Sequence, residues 1–94
     1  MADTLLLPEI VEETAIEEPW SVLLWDDPVN TMEFVARVLS KVFGYDAEKA
    51  RSVMLAAHEN GKTAAWSGER EKAEGFCREL HGWGLQASLE KDRT

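Results

Sequence analysis

The chain has 94 residues and a formal charge of −8, from 18 Asp and Glu against 10 Lys and Arg. That length allows one domain at most. The excess of acids argues against a phosphate-binding face, which needs clustered Lys and Arg, so cationic or apolar partners are favoured over nucleic acid. The charge is also uneven, because residues 1–19 hold six acids and no base, which leaves −2 for residues 20–94 (12 acids and 10 bases).

The N-terminus, the length of the apolar runs and the single cysteine indicate the cellular compartment of the protein. Cys77 has no partner for an internal disulfide, which favours the reducing cytoplasm. The N-terminus lacks the basic and apolar regions of a signal peptide, and no apolar run approaches the ~20 residues that span a membrane. We therefore expect a cytoplasmic protein without a membrane segment. Residues 1–19 are predicted to be a flexible acidic extension of a domain spanning residues 20–94.

The first predicted elements are a strand and a helix. The continuous apolar run Trp20–Trp25 is typical of a covered central strand, and Pro28 ends it because proline cannot donate to a ladder. Asn30 is predicted to be the N-cap of the following helix, with Glu33 completing a capping box. Apolar residues then recur at helical spacing as far as Gly44, where a left-handed stop is expected: Val35, Val38, Leu39 and Val42.

The rest of the chain predicts two more helices and two more strands. Asp46 is expected to cap a second helix that ends at Gly61. A short strand Lys62–Trp66, a helix from Glu69 to Leu80 and a strand from Leu85 to Glu90 follow, with His81 in the last loop. The order β-α-α-β-α-β predicts an α+β fold with a three-stranded antiparallel sheet and three helices packed on one face.

Few residues suggest chemistry. Cys77 lies on the apolar stripe of the third helix, which predicts a buried thiol. Asp26 and Asp27 between the first strand and helix are either turn formers or acceptors for a positive charge. His58 near a helix end is favoured there by the helix dipole when protonated. These three could hold Zn²⁺ in a small hydrolase, but neither histidine has a ligand partner at i+3 or i+4, so no metal or cofactor is expected.

Four segments taken in order resemble the ClpS family of N-degron adaptors: VLLWDDPVNTMEFV, VLSKVFGY, VMLAAHENGK and SLEK, within residues 20–91. The resemblance implies a β-α-α-β-α-β fold and a protein without catalysis of its own. It implies delivery of substrates to a AAA+ unfoldase of the ClpA or ClpC kind, which works with the ClpP peptidase. The substrates would begin with a bulky residue, namely Leu, Phe, Tyr or Trp.

The resemblance also assigns residues. The α-amino group of a substrate would meet Asp26, Asp27, Asn30 and His58, and its first side chain would enter a hole formed by Met32, Val35, Met54, Ala57 and Leu89. The family pattern Asn-Asp-Asp is here Asp26-Asp27-Pro28, so either acid could supply the charge. Glu71 matches the acidic residue with which the family docks on the unfoldase, whereas the expected lysine falls on Phe76. The alternative is a general peptide or protein interaction module of similar fold that does not depend on a free N-terminus.

Overall fold

The computed structural model describes residues 18–92. Three strands, β1 (Trp20–Trp25), β2 (Lys62–Gly68) and β3 (Ala87–Lys91), form an antiparallel sheet in the order β2-β1-β3. Three helices, α1 (Met32–Phe43), α2 (Ala47–Asn60) and α3 (Arg70–Gly82), complete the order β-α-α-β-α-β. The predicted fold class and element order are confirmed. Residues 1–17, in which most of the predicted acidic extension falls, lie outside the described part of the chain.

The two faces of β1 differ because successive side chains of a strand point to opposite sides. Val22 and Leu24 join one buried cluster with residues of all three helices, so the helices cover that face. On the other face, the Ser21 hydroxyl donates to Asp92 at 2.6 Å, and Ser67 on β2 donates to the same carboxylate at 2.8 Å. Ser21 and Leu23 on this second face are buried as well, so the continuous apolar run of β1 reflects burial on both faces.

The helix ends show which capping predictions hold. Asp46 caps α2, accepting from the Lys49 amide at 2.7 Å, and Gly44 ends α1 with φ +76°, as predicted. The predicted cap of α1 was wrong. Thr31 is the N-cap, and its hydroxyl oxygen accepts from the Phe34 amide at 3.1 Å. The side chain of Asn30 is engaged elsewhere in the loop, which leaves the capping position to the next residue.

The last third of the domain differs most from the sequence-based boundaries. Strand β2 continues to Gly68, and α3 continues to Gly82, so His81 lies on the helix and its Nε2 donates to the Ala87 carbonyl at 2.7 Å. Leu85 is buried but precedes β3, and its amide donates to the Leu80 carbonyl at 3.0 Å, which closes the end of α3. Cys77 is buried, as predicted, and this burial raises the pKa of its thiol, partly offset by the charge of Arg78. None of the helices in residues 18–92 has the length and apolar character to cross a membrane.

Candidate ligand-binding site

A cavity of about 360 Å³ opens where the end of β1, the start of α1 and the end of α2 meet. Its walls combine an apolar part, between the two helices, with a polar part on the loop that joins β1 to α1. Eight of the nine residues that the sequence assigned to ligand binding line this cavity: Asp26, Asp27, Asn30, Met32, Val35, Met54, Ala57 and His58. Tertiary folding thus brings together positions that are up to 32 residues apart along the chain.

The apolar part of the cavity lies between α1 and α2. Val35, Met54 and Ala57 are buried and make up its interior, while Met32 is 50% exposed and stands at the mouth. These positions face one another because α1 contributes residues 32 and 35 and α2 contributes residues 54 and 57, each pair three residues apart on one helix face. Buried side chains therefore form the inner wall of the cavity, and the adaptable side chain of Met32 lies at its mouth.

The polar part is centred on Asp26 and His58. The Oδ1 atom of Asp26 lies 3.2 Å from Nδ1 of His58. The backbone holds this pair in place, since the amide of Asp26 donates to the carbonyl of Gly61 at 2.9 Å and so joins the end of β1 to the end of α2. At that separation the two atoms share a proton carried by Nδ1, because two lone pairs facing each other would repel. Both side chains remain about half exposed and accessible from the cavity.

The carboxylate of Asp27 is directed into the loop. Its Oδ1 accepts from the backbone amides of Val29 and Asn30, both at 2.9 Å, and its Oδ2 accepts from the Asn30 side chain at 2.8 Å. Partial burial raises the pKa of this group, but the three hydrogen bonds outweigh it, so the pKa lies below the usual value of 3.8. Asp27 therefore shapes the loop, while Asp26 faces His58.

The amide of Asn30 links the loop to the turn between α3 and β3. Its Nδ2 donates to Asp27 and also to the carbonyl of Gly84, at 3.3 Å, in the turn between α3 and β3. Because both N–H groups are used, the Oδ1 atom is the group that Asn30 has left to offer a ligand.

Two sequence-assigned residues lie away from the cavity. Leu89 pairs with Val22 across the sheet and packs against the core, but it does not line the cavity. Glu71 is exposed in the first turn of α3. Phe76, at the position of the family's docking lysine, is half-buried and packs against Phe43 and Trp66 with ring centroids 4.9 and 4.8 Å apart. A lysine could not replace it there without opening this aromatic cluster.

The structure also adds cavity residues that the sequence did not single out: Leu24, Trp25, Pro28 and Thr31. Trp25 is the notable addition, and the signal for it was present, since it is an aromatic residue placed directly before Asp26 at the end of a strand. Within residues 18–92, no three His, Cys, Asp or Glu side chains are grouped as metal ligands. At this site the Asp27 carboxylate does not join Asp26 and His58 as a third ligand, because its oxygens accept hydrogen bonds within the loop.

Fold and cavity define a small α+β domain with an apolar pocket edged by a carboxylate–imidazole pair. Residues 15–88 match the family model described as ATP-dependent Clp protease adaptor protein ClpS. The chain is 45% identical over 89 residues to the ATP-dependent Clp protease adapter protein ClpS of Nocardia farcinica, covering 90% of this chain and 84% of that protein. The ClpS of Rhodococcus opacus is 41% identical, with 92% and 78% covered.

A solved structure is similar as well. The structure of Agrobacterium tumefaciens ClpS2 bound to L-phenylalaninamide superposes with a TM-score of 0.78 at 29% identity, covering 81% of this chain and 99% of that chain. The chain belongs to the ClpS family of ATP-dependent Clp protease adaptors.

Proposed function

We propose that this adaptor binds the free N-terminus of a protein whose first residue is bulky and hydrophobic (Leu, Phe, Tyr or Trp), and delivers that protein to a Clp unfoldase of the ClpA or ClpC kind for degradation by ClpP. The observation that carries the proposal is the Asp26–His58 pair at the edge of an apolar cavity. A protein N-terminus has the complementary chemistry, because its cationic α-amino group and its first side chain are attached to the same carbon. The Agrobacterium relative was solved with L-phenylalaninamide, which carries the same two groups.

In the proposed complex the α-ammonium group donates three hydrogen bonds. Asp26 supplies the negative charge, His58 a neutral ring nitrogen and Asn30 its Oδ1 atom. In the free protein the Nδ1–H of His58 donates to Oδ1 of Asp26, which leaves Nε2 of the neutral ring and the second oxygen of Asp26 as acceptors for the ligand. Bonds to charged groups contribute about 1.5–3 kcal/mol each. A ligand without the charge would leave the Asp26 carboxylate desolvated and without a cation.

The first side chain of the substrate fills the apolar part of the cavity. Burying a Leu or Phe side chain contributes roughly 1.5–3 kcal/mol. Met32 and Met54 have unbranched, adaptable side chains, so the same pocket accommodates both a branched aliphatic chain and an aromatic ring. Met32 at the mouth would exclude β-branched residues, whose bulk lies at the level of the mouth.

Asp27 has a supporting role in this proposal. It fixes the loop so that Asp26 and Asn30 present their acceptors at the cavity edge, which lowers the entropy that binding would otherwise cost. The sequence left open which of the two acids meets the ammonium group. We therefore assign this contact to Asp26. The pocket that we propose does not include Leu89, because that side chain lies outside the cavity lining.

Delivery requires a surface for the unfoldase, and we propose that it includes Glu71 at the start of α3, where the side chain is exposed. The half-buried position of Phe76 means that the contact expected from the family lysine is absent at that residue. We infer that the docking surface of this adaptor depends more on Glu71 in the first turn of α3 than the family pattern suggests.

The experiment that tests the binding function compares two peptides of identical sequence, one beginning with a free Phe and the other N-acetylated. We expect the free peptide to bind and acetylation to lower its affinity by at least about tenfold. Acetylation removes the positive charge of the α-amino group and the charged hydrogen bonds that this group donates. Equal affinities would instead support the alternative, a general interaction module that binds peptides or domains through its apolar surface.

A further inference from the structure

The turn between α3 and β3 contacts the ligand-binding loop and the start of α1. The carbonyl of Gly84 accepts from Nδ2 of Asn30 at 3.3 Å. Beside it, the ring of Trp83 packs edge to face with Phe34 in the first turn of α1, with ring centroids 6.4 Å apart and planes at 65°. Neither Trp83 nor Gly84 lines the cavity. The turn therefore contacts residues that shape the site without forming part of its wall.

The turn itself is held against the end of α3 by backbone hydrogen bonds. The Gly84 amide donates to the His81 carbonyl at 2.9 Å. The Leu85 amide donates to the Leu80 carbonyl at 3.0 Å, and both leucines are buried. Gly84 has a φ of +87°, a left-handed conformation that glycine adopts readily and residues with a Cβ rarely adopt. The direction of the Gly84 carbonyl thus depends on this glycine conformation and on the end of α3.

The Gly84 carbonyl helps to decide which end of the Asn30 amide faces the cavity. A side-chain amide has an oxygen that only accepts and a nitrogen that only donates. The two partners of the Asn30 side chain, Oδ2 of Asp27 and the Gly84 carbonyl, are both acceptors, so they bind its nitrogen. A rotation that exchanged the two ends of the amide would place oxygen against oxygen at both contacts. The Oδ1 atom of Asn30 therefore remains for the cavity, which this residue lines.

We propose that Trp83 and Gly84 are positioning residues of the ligand site, which hold the Asn30 amide so that its Oδ1 atom accepts from the α-ammonium group of a bound N-terminus. The inference rests on the proposed function and names residues outside the cavity on which that function depends. Asp27 is only three residues from Asn30 and belongs to the same loop, so it cannot fix the amide relative to the rest of the domain. Gly84 is 54 residues away in sequence and can do so. The edge-to-face contact of Trp83 with Phe34 keeps the turn against α1.

The first test compares Gly84→Ala with the matched control Gly44→Ala. Both glycines have positive φ, and a Cβ at either position meets no atom within 4 Å, so the two substitutions strain the backbone in the same way. Gly44 lies at the other end of α1, about 18 Å along the helix axis from Met32 at the cavity mouth.

We expect Gly84→Ala to weaken the binding of a Phe-initiated peptide by about three- to tenfold, because the Asn30 acceptor is no longer held in place. Gly44→Ala should leave the affinity unchanged. Circular dichroism should show that both variants are folded at the temperature of the binding measurement. Equal affinities of the two variants for the peptide would overturn the proposal.

A double-mutant cycle tests whether the effect acts through Asn30. In an Asn30→Ala background, Gly84→Ala should cause no further loss of affinity, because the acceptor that the turn positions is already absent. Additive losses would contradict the proposal, since they would show that Gly84→Ala distorts the site by another route.

The aromatic contact is tested by two variants of Trp83. Trp83→Ala should also weaken binding of the Phe peptide, and Trp83→Phe, which keeps a ring against Phe34, should restore most of the affinity. A Trp83→Ala variant that binds as tightly as the unmodified protein would contradict the role of this residue. Failure of the proposed function gives a different result, since the unmodified protein would then bind the Phe peptide no better than its N-acetylated form.

Discussion

The Oδ1 atom of Asp26 lies 3.2 Å from the Nδ1 atom of His58, although the two residues are separated by 32 positions in the sequence. The neighbouring acid takes no part in this contact, because its oxygens bind the loop backbone and the Asn30 side chain. Two adjacent carboxylates thus have different surroundings. This division of roles gives the most direct test of how the site works.

Replacing Asp26 and Asp27 one at a time should separate charge from loop geometry. Asp26→Asn keeps the shape and an acceptor but removes the negative charge, and we expect the affinity for a Phe-initiated peptide to fall by about tenfold or more. Asp27→Ala should weaken binding less, because it frees the loop without removing the charge at His58. The double change Asp26→Ala and Asp27→Ala should abolish binding while circular dichroism shows an intact fold. An Asp27→Ala effect larger than that of Asp26→Asn would contradict the assignment.

Binding should weaken on acidification. Acid favours the form of a histidine ring that carries a proton on both nitrogens, and in that form His58 has no nitrogen left to accept from the ammonium group. We expect the dissociation constant for the Phe peptide, measured by fluorescence polarisation, to rise as the pH is lowered from about 8 to 5.5. His58→Gln retains an acceptor that does not titrate, so it should bind with a flatter pH profile. A flat profile for the unmodified protein would leave His58 with a structural role only.

Oxidation of Met32 should impair the pocket. This thioether is half exposed at the mouth, whereas Met54 is 5% exposed, so hydrogen peroxide should oxidise Met32 before Met54, forming the sulfoxide and water. A polar sulfoxide at the mouth disfavours entry of an apolar side chain, and we expect a several-fold loss of affinity for the Phe peptide. Met32→Leu conserves volume and lacks the oxidisable sulfur, so its affinity should survive the treatment. Mass spectrometry of the treated protein identifies the oxidised residue, and equal loss in both proteins would contradict the prediction.

The stability of the domain should fall in acid through Asp27 and Asp92. Hydrogen bonds from Ser21 and Ser67 hold the pKa of Asp92 below the usual 3.8, and the pKa of Asp27 is lowered as well. A carboxyl whose pKa is lower in the folded state adds stability above its unfolded value, and that contribution is lost as the pH falls through the folded value. We expect the free energy of unfolding to be steady near neutrality and to decline below about pH 4. Urea unfolding of Asp92→Asn should show a shallower decline than that of the control Glu90→Gln.

The cap of α1 provides a local check on the structure. Thr31→Ala removes the hydroxyl that accepts from the Phe34 amide and should lower the free energy of unfolding by about 0.5–2 kcal/mol. Asn30→Ala should lower the free energy of unfolding less than Thr31→Ala does, because the Asn30 side chain does not cap α1. Because Asn30 offers an acceptor at the cavity, its replacement should instead reduce peptide affinity. Chemical denaturation and peptide binding measured on both variants distinguish the two roles.

The sequence by itself determined the order of the elements and much of the pocket. Periodicity and capping depend on residues a few positions apart, which is why the bounds of β1, the cap at Asp46 and the stop at Gly44 were predicted correctly. The same short-range spacing placed Met54 with Ala57 on one helix face, whereas the place of Met32 beside Val35 in the pocket came from the family resemblance. The family resemblance then predicted that these faces and His58 form one site, because the matched segments occur in the same order as in the family.

Only the tertiary structure decided which acid faces His58, because that choice depends on hydrogen bonds the sequence does not specify. The Gly61 carbonyl fixes Asp26, and the loop amides together with Asn30 take up Asp27. The register of β3 likewise places Leu89 opposite Val22 rather than in the cavity lining, and the antiparallel pairing of β1 with β2 sets Lys62 over Trp25. Local pattern gives each residue a helix or strand face, whereas contacts between distant segments determine which groups meet at the site.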